Sequence, residues 1–78
     1  MMRIDENGTI YSGNFVKIND AYVLHGQCEI TTASGFVYKG HFEYGKKEGL
    51  FIILNCLIKE MICVTFHDDI LINIINNA

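Results

Sequence analysis

Three histidines and three cysteines are the residues of this 78-residue chain that could bind a metal ion. His25 and Cys28 are three residues apart, so in a strand they would point to opposite faces and could not share one ion. Cys63 and His67 would share a face, but four residues of extended chain hold them far apart. The sequence contains no Cys-x-x-Cys pair. We therefore expect no metal site and no cofactor.

Catalysis has little support among the acidic and nucleophilic residues. Asp68 and Asp69 are adjacent acids, but such a pair is typical of a turn or a helix cap. Cys28 with His41, or Cys63 with the histidine that follows it, could form a nucleophilic pair, yet no third residue is placed to orient the base. The glycines lie in turns and strands rather than in a phosphate-binding loop. We expect a protein that is not an enzyme.

The charge of the chain argues against two classes of partner. The formal net charge is −3, and the largest basic cluster is Lys46-Lys47. Nucleic acids and anionic membranes are bound by concentrated positive charge, so both are poor electrostatic matches. A protein partner suits this composition better.

The cysteines and the apolar segments bear on location. Three cysteines are an odd number without framework spacing, which is typical of reduced thiols inside a cell. Residues 1–7 lack the apolar stretch of a signal peptide. The most apolar window, residues 50–66, is interrupted by Lys59 and Glu60 and is too short to span a bilayer. We expect a cytoplasmic protein.

Strands must position these residues, and the strongest strand signal spans residues 35–49. Aromatic residues and a central glycine alternate there with other residues, which is typical of a half-buried antiparallel strand between glycine turns. The glycine leaves room for a neighbouring ring to lie over bare backbone. One face carries Phe36, Tyr38, Gly40, Phe42 and Tyr44, and the other carries Val37, Lys39, His41 and Glu43.

The same pattern occurs once before. Residues 11–15 have the Tyr-x-Gly-x-Phe spacing of residues 38–42, 27 positions further along the chain. A second pair of markers, Gly26 and Gly49, is only 23 positions apart, which places a four-residue insertion after Phe15. The chain therefore contains an internal repeat.

This repeat resembles the MORN repeat (membrane occupation and recognition nexus) over about residues 7–54. The chain departs from the family pattern at the insertion, at Glu48 in place of histidine, and at Asn14 and His41 in place of an acid. Stacked hairpins of that family present a groove to partner segments, so the resemblance implies such a groove here. The motif positions are Tyr11, Gly13, Phe15, His25, Gly26, Gly35, Tyr38, Gly40, Phe42, Gly45 and Gly49.

We expect one all-β domain over residues 1–78. It is an antiparallel β-hairpin meander of about five or six strands, MORN-repeat-like, with a short C-terminal cap segment. Phe66 lies 24 positions after Phe42, which indicates a decayed third unit. The repeat-like units are residues 8–31, 35–54 and 55–67, and residues 68–78 form the cap, as a short helix or strand.

Four local expectations concern the path of the chain. Residues 1–6 form a loose start, and residues 9–16 form one strand. Residues 17–21, which hold the insertion, form a loop. Residues 50–54 form a continuous apolar strand with both faces covered.

The aromatic face has two compatible interpretations. Rings at strand spacing pack as a core, and in a single-layer sheet they could also line a groove for a peptide. We expect a non-enzymatic protein-protein interaction module that binds its partner through this aromatic groove or through an exposed edge strand. The predicted contact residues are Tyr11, Phe15, Tyr38, Phe42 and Tyr44, with Lys39 and His41 on the polar face.

Two other functions are compatible with the sequence. The chain has no proline and is rich in isoleucine and asparagine, a bias of AT-rich genomes. One alternative is therefore a small viral or phage protein that inhibits a host or defence protein by masking its surface. The other is a membrane-surface phospholipid-binding module, which the family name implies. Because so few repeats are near the minimum for stability, a homodimer is also compatible with the chain.

Overall fold

The computed structural model describes residues 2–77. These residues contain nine strands and no helix. Met1 and Ala78, which belong to the expected loose start and the expected cap, lie outside the described residues. The strands are β1 (Met2–Ile4), β2 (Ile10–Ser12), β3 (Phe15–Ile18), β4 (Ala21–Leu24), β5 (Gly26–Thr31), β6 (Phe36–Glu43), β7 (Lys46–Asn55), β8 (Glu60–His67) and β9 (Ile70–Asn77).

Seven of the strands form one main sheet, in the order β1-β2-β5-β6-β7-β8-β9. Every neighbouring pair in this sheet is antiparallel. The sheet departs from chain order only where β3 and β4 form a separate two-stranded sheet, so that β2 pairs with β5. The predictions of an all-β class and of an antiparallel hairpin arrangement are confirmed.

Two-residue loops close three of the hairpins. Their residues all have positive φ, from 49° to 88°, which suits the tight turns that match the twist of paired strands. Asparagine, aspartate and glycine adopt this conformation readily, and Tyr44 is the exception. The loops are Asn19-Asp20 between β3 and β4, Tyr44-Gly45 between β6 and β7, and Asp68-Asp69 between β8 and β9.

Short turns at the other ends of the hairpins also contain a residue with positive φ. The φ angle is 83° at Gly8, 97° at Gly35 and 56° at Lys59. Lys59 thus occupies the position that glycine occupies in the first two turns. The third turn keeps the backbone of the others although its sequence has lost the glycine.

The path of the first repeat differs from the expected one. The strand expected over residues 9–16 breaks at Gly13, where a Cβ would lie 2.7 Å from Sγ of Cys28. The backbone there passes closer to β5 than a side chain allows, and the chain then leaves the main sheet to enter β3. The loop expected over residues 17–21 is also wrong, because the insertion lengthens the β3–β4 hairpin and leaves only residues 19–20 as its loop.

Both ends of the described chain join the main sheet. Residues 2–4, expected to be loose, form β1 and pair with β2. The tail, expected as a short helix or strand, is the eight-residue strand β9 and pairs with β8. These two strands raise the main sheet above the five or six strands expected.

One face of the main sheet carries the core. The Phe51 ring packs edge to face on Phe42 and on Phe66, with centroids 5.2 Å apart in each contact. A Cβ on Gly40 would lie 2.7 Å from the Phe51 ring, so that ring lies over bare backbone as the sequence predicted. Leu24, Cys28 and Val64 complete the buried cluster.

The other face of β7 is exposed, so the expectation that residues 50–54 are covered on both sides is wrong. Leu50 is 61% exposed and Ile52 is 37% exposed, whereas Phe51 between them is fully buried. This alternation shows that the sheet buries one face of β7 and leaves the other in solvent. The continuous apolar run therefore produces an exposed apolar patch.

Candidate interaction surfaces

The aromatic residues that were expected to contact a partner lie mainly in the core. Phe42 is 1% exposed. Tyr11, Phe15 and Tyr38 are partly buried and pack against the buried cluster. The aromatic face is therefore mainly a core, with a partly open margin formed by Tyr11, Phe15 and Tyr38. A groove for a partner along this margin stays a prediction.

Two cations of the chain lie over this margin. The guanidinium carbon of Arg3 lies 4.6 Å from the ring centroid of Tyr11 and 5.6 Å from that of Phe15. Nζ of Lys47 lies 5.5 Å from the ring centroid of Tyr38. These contacts are within the range of cation–π attraction. A peptide that enters the margin would have to displace both cations, and the sequence did not reveal either one because each reaches its ring across a strand pairing.

Asp5 holds the Tyr11 end of this face. The Tyr11 hydroxyl donates a hydrogen bond to Oδ2 of Asp5 (3.2 Å), and Oδ1 accepts from the backbone N–H groups of Asn7 (2.9 Å) and Thr9 (3.0 Å). The hydrogen bond from Thr9 is the largest cause that lowers the pKa of Asp5. Burial, and then the Asp5 carboxylate, raises the pKa of Tyr11. At neutral pH the pair is a carboxylate and a neutral phenol, which is a structural contact.

Tyr44 lies in the β6–β7 loop, so its expected position on the aromatic face is wrong. It has a φ angle of 49° and is 60% exposed. The alternation ends at Glu43 because the two-residue loop turns the chain at the next position. The Tyr44 ring packs beside the imidazole of His25, with centroids 4.5 Å apart, and its backbone N–H donates to Nδ1 of His25 (3.1 Å). Any contact of Tyr44 with a partner would come from the loop.

Lys39 and His41 lie on the opposite face of β6 from Phe42, as the alternation predicted. Nε2 of His41 lies 2.8 Å from Oε1 of Glu43, so the imidazole already has a partner within its own strand. Lys39 is exposed and borders a mostly apolar depression of about 250 Å³ on this face. The depression is lined by Glu29, Val37, Lys39, Ile52, Leu54 and Met61.

The largest run of exposed apolar side chains belongs to β9, which is an edge of the main sheet. β9 pairs with β8 on one side, and its other side has no strand partner among residues 2–77. No residue from 70 to 77 is charged. The aliphatic side chains, each between 48% and 65% exposed, are Ile70, Leu71, Ile72, Ile74 and Ile75.

The pairing of β9 with β8 is irregular. Its register shifts twice, once between Cys63 and Val64 of β8 and once just before Phe66. As a result, Ile72 and Ile75 have no register partner on β8. Such bulges increase the local twist of a strand. They also break the period-two alternation, which is why the spacing of the tail was compatible with a helix as well.

The cysteines are free thiols in the structure. Cys28 is buried, and its Sγ lies 3.5 Å from the backbone oxygens of Asn14 and His25. Cys56 is exposed and Cys63 is partly buried. Within residues 2–77, no group of three or more His, Cys, Asp or Glu residues is placed to hold a metal ion. The described part of the chain also has no helix long and apolar enough to cross a membrane.

The hairpins are regularly spaced along the chain. Their two-residue loops lie at residues 19–20, 44–45 and 68–69, a spacing of 25 and then 24 residues. This spacing is consistent with the internal repeat. No protein-family model matches the chain, and no curated protein matches it significantly. The resemblance to MORN repeats therefore rests on the motif residues named above.

Proposed function

We propose that this protein is a non-enzymatic protein-interaction module whose partner binds along the open edge of β9. The observation that carries the proposal is the run of five exposed aliphatic side chains on an uncharged edge strand. Exposed apolar side chains concentrated on one strand are typical of an interaction site, because water solvates them poorly. The free backbone N–H and C=O groups of the edge would bind a partner strand by hydrogen bonds.

The sequence of β9 supports the same proposal. Proteins protect edge strands from pairing with lysine, proline, inward-pointing charges, short strand length or bulges. β9 is eight residues long and contains no lysine, proline or charge. Bulges are the one protective feature that it has. An edge with so little protection is typical of a strand that a partner covers in the functional state of the protein.

β9 supports binding better than the aromatic face does. Phe42 is buried in the core, and Arg3 and Lys47 lie over the rings of Tyr11 and Tyr38. A partner at that face would have to displace two cations before it reached a ring. A partner at β9 would meet side chains that are already exposed. In this proposal the aromatic residues hold the sheet together, and their open margin is a second surface.

A capture experiment with surface variants tests the proposal. The tagged protein is mixed with a lysate of the cells in which it naturally occurs, and the retained proteins are identified by mass spectrometry. Ile72→Lys places a charge on the β9 edge. Leu50→Lys is the matched control, because Leu50 has a similar exposure but lies on β7. We expect the wild type and Leu50→Lys to retain the same partner and Ile72→Lys to lose it, with all proteins folded by circular dichroism.

The opposite pattern would locate the site elsewhere. If Ile72→Lys retains the partner and Tyr38→Ala loses it while staying folded, the aromatic margin is the binding surface. If Lys39→Ala loses it, the polar face of β6 is the surface. In both cases the proposal for β9 is wrong, although the protein would still be an interaction module.

A further inference from the structure

We propose that the partner of β9 is β9 of a second copy of this chain, paired antiparallel about a two-fold axis. This inference rests on the function proposed above and names the occupant of the same edge. Pairing about a two-fold axis joins two seven-stranded sheets into one continuous sheet and leaves neither β9 edge open.

The length of the free edges favours this pairing over a head-to-tail one. The main sheet has two edges, β9 with eight residues and β1 with three. If β1 of one copy paired with β9 of another, most of β9 would stay uncovered, and the contact would repeat into a filament. β9 on β9, in the pairing centred on Asn73, matches seven of the eight residues of each strand, 70–76, and forms a closed dimer.

The sequence of β9 is self-complementary around Asn73. In an antiparallel pairing centred there, Ile72 of one copy lies opposite Ile74 of the other, and Leu71 lies opposite Ile75. Apolar residues then face apolar residues throughout the centre of the contact. Asn73 meets its own copy, where two amide side chains can exchange hydrogen bonds.

The charges near β9 do not oppose a second copy, although the chain has a net charge of −3. The nearest acids in sequence are Asp68 and Asp69, in the loop that precedes the strand. Nζ of Lys46 lies 3.0 Å from Asp68, and Nζ of Lys47 lies 3.2 Å from Asp69. Each carboxylate is thus paired within its own copy. The two-fold contact brings together no unpaired like charges from this loop.

The size of the contact indicates how tightly the copies would bind. The seven paired residues of strand are about 23 Å long. A contact between two strand edges of this length is smaller than a standard interface. We expect a reversible dimer whose population depends on concentration in the micromolar range.

Sedimentation equilibrium of the purified chain measures this association directly. We expect the average mass of the wild type to rise from 8.9 kDa towards twice that value between about 1 µM and about 1 mM. Ile72→Lys should stay at 8.9 kDa throughout. Leu50→Lys, the matched control on β7, should associate as the wild type does.

A cross-linking variant tests the register and does not depend on the stability of Ile72→Lys. Residues that meet on a two-fold axis have Cα atoms about 4.5–5.5 Å apart, which suits a disulfide. With Cys56 and Cys63 replaced by serine, we expect Asn73→Cys to form a disulfide-linked dimer under mild oxidation. Ile70→Cys, at the end of the strand, should not.

Three results would overturn the inference. A wild type that stays monomeric at about 1 mM excludes the second copy, and if host capture still requires β9 in that case, the proposed function stands with a foreign partner. A dimer that survives Ile72→Lys places the contact on another surface. Cross-linking through Ile70→Cys but not Asn73→Cys excludes the antiparallel pairing centred on Asn73.

Discussion

Gly40 is the residue on which the packing of the core most directly depends. A Cβ there would lie 2.7 Å from the backbone oxygen of Leu50 and from the ring of Phe51. The backbone oxygen cannot move away without disturbing the β6–β7 pairing. We therefore expect Gly40→Ala to lower the free energy of unfolding by about 1–3 kcal/mol, as overpacking of a core does. Urea denaturation followed by circular dichroism measures the change.

Lys39→Ala is the matched control for this substitution. Lys39 is the exposed neighbour of Gly40 on the same strand. We expect its replacement to change the free energy of unfolding by less than about 0.5 kcal/mol. A Gly40→Ala variant as stable as the wild type would show that Phe51 does not pack on the backbone of β6.

Single residues also show where sequence reasoning succeeds and where it ends. The period-two alternation predicted the face that Phe42 occupies, because that period is a direct property of a strand. The alternation failed two residues later, at Tyr44, because tyrosine seldom adopts positive φ and gives no sign of a two-residue loop. Arg3 and Lys47 were missed for another reason: their positions over aromatic rings depend on strand pairing, which a sequence does not display.

At the scale of the elements, the β7–β8 turn keeps a glycine backbone without the glycine. Lys59 has a φ angle of 56°, a conformation that costs a residue with a side chain about 1–2 kcal/mol. We expect Lys59→Gly to raise the free energy of unfolding by about 1 kcal/mol, since glycine removes the strain but adds freedom to the unfolded chain. Thermal and urea unfolding would both register this gain.

Lys59→Ala separates the effect of the backbone from that of the charge. Alanine removes the ammonium group but keeps the Cβ, so it should bring none of the gain that glycine brings. If both variants were stabilised equally, the charge of Lys59 would be the cause, and the equivalence of the three turns would lose its energetic support.

A polar clamp joins the start of β7 to the β8–β9 loop. Oδ1 of Asp69 accepts hydrogen bonds from the backbone N–H (3.1 Å) and from Nζ (3.2 Å) of Lys47. Oε2 of Glu48 accepts from the backbone N–H of Asp68 (2.9 Å), and its Oε1 lies 2.8 Å from Nδ1 of His67. These contacts hold the β8–β9 hairpin against β7.

The clamp lowers the pKa of both carboxyl groups. The backbone N–H of Asp68, followed by the side chain of His67, lowers the pKa of Glu48 below its ordinary 4.5. Burial alone would raise the pKa of Asp69, but the hydrogen bonds from Lys47 hold it below its ordinary 3.8. A carboxyl group with a lowered pKa stabilises the folded state above its ordinary pKa, and this stabilisation disappears as the pH falls through its folded-state pKa.

Acid should therefore weaken the clamp. We expect the thermal midpoint of the wild type to fall as the pH is lowered through about 4 and below. Glu48→Gln/Asp69→Asn should have a lower midpoint than the wild type at about pH 6 and lose less on acidification. Differential scanning calorimetry from pH 6 to pH 3 would compare them, with Glu6→Gln, an exposed acid outside the clamp, as control. Equal acid losses in the wild type and the double variant would contradict this account.

The elements differ in how far the sequence could predict them. β6 lies within the alternating stretch of residues 35–49, where the strand was predicted. The β3–β4 hairpin was missed because residues 17–21 were expected to form a loop, although residues 15–18 and 21–24 pair in register around a two-residue turn. The exposure of β9 could not be predicted from its own residues, because only the order of the strands places it at the edge of the sheet.

At the scale of the whole molecule, the two ends of the sheet are unequal. β1 has three residues, all exposed, and adds little to the core. β9 pairs with β8 so that Leu71 lies opposite Phe66 and Ile74 lies opposite Val64, two residues of the buried cluster. β9 thus pairs with the last strand of the core along one edge and offers its other edge to a partner. Because β9 pairs with β8 and also binds the partner, it must be folded onto β8 before the partner binds.

This inequality predicts opposite outcomes for two truncations. A chain that ends at Asp69 would leave Val64 and Phe66 on the new edge, and exposing two such side chains loses about 3–6 kcal/mol. A protein of this length is stable by only about 4–12 kcal/mol, so we expect this variant to lose its cooperative urea transition. Removal of residues 1–4 should leave a cooperative transition at lower urea, because it exposes no residue of the buried cluster. A cooperative transition in the variant that ends at Asp69 would show that the core closes without β9, and that the strand serves binding alone.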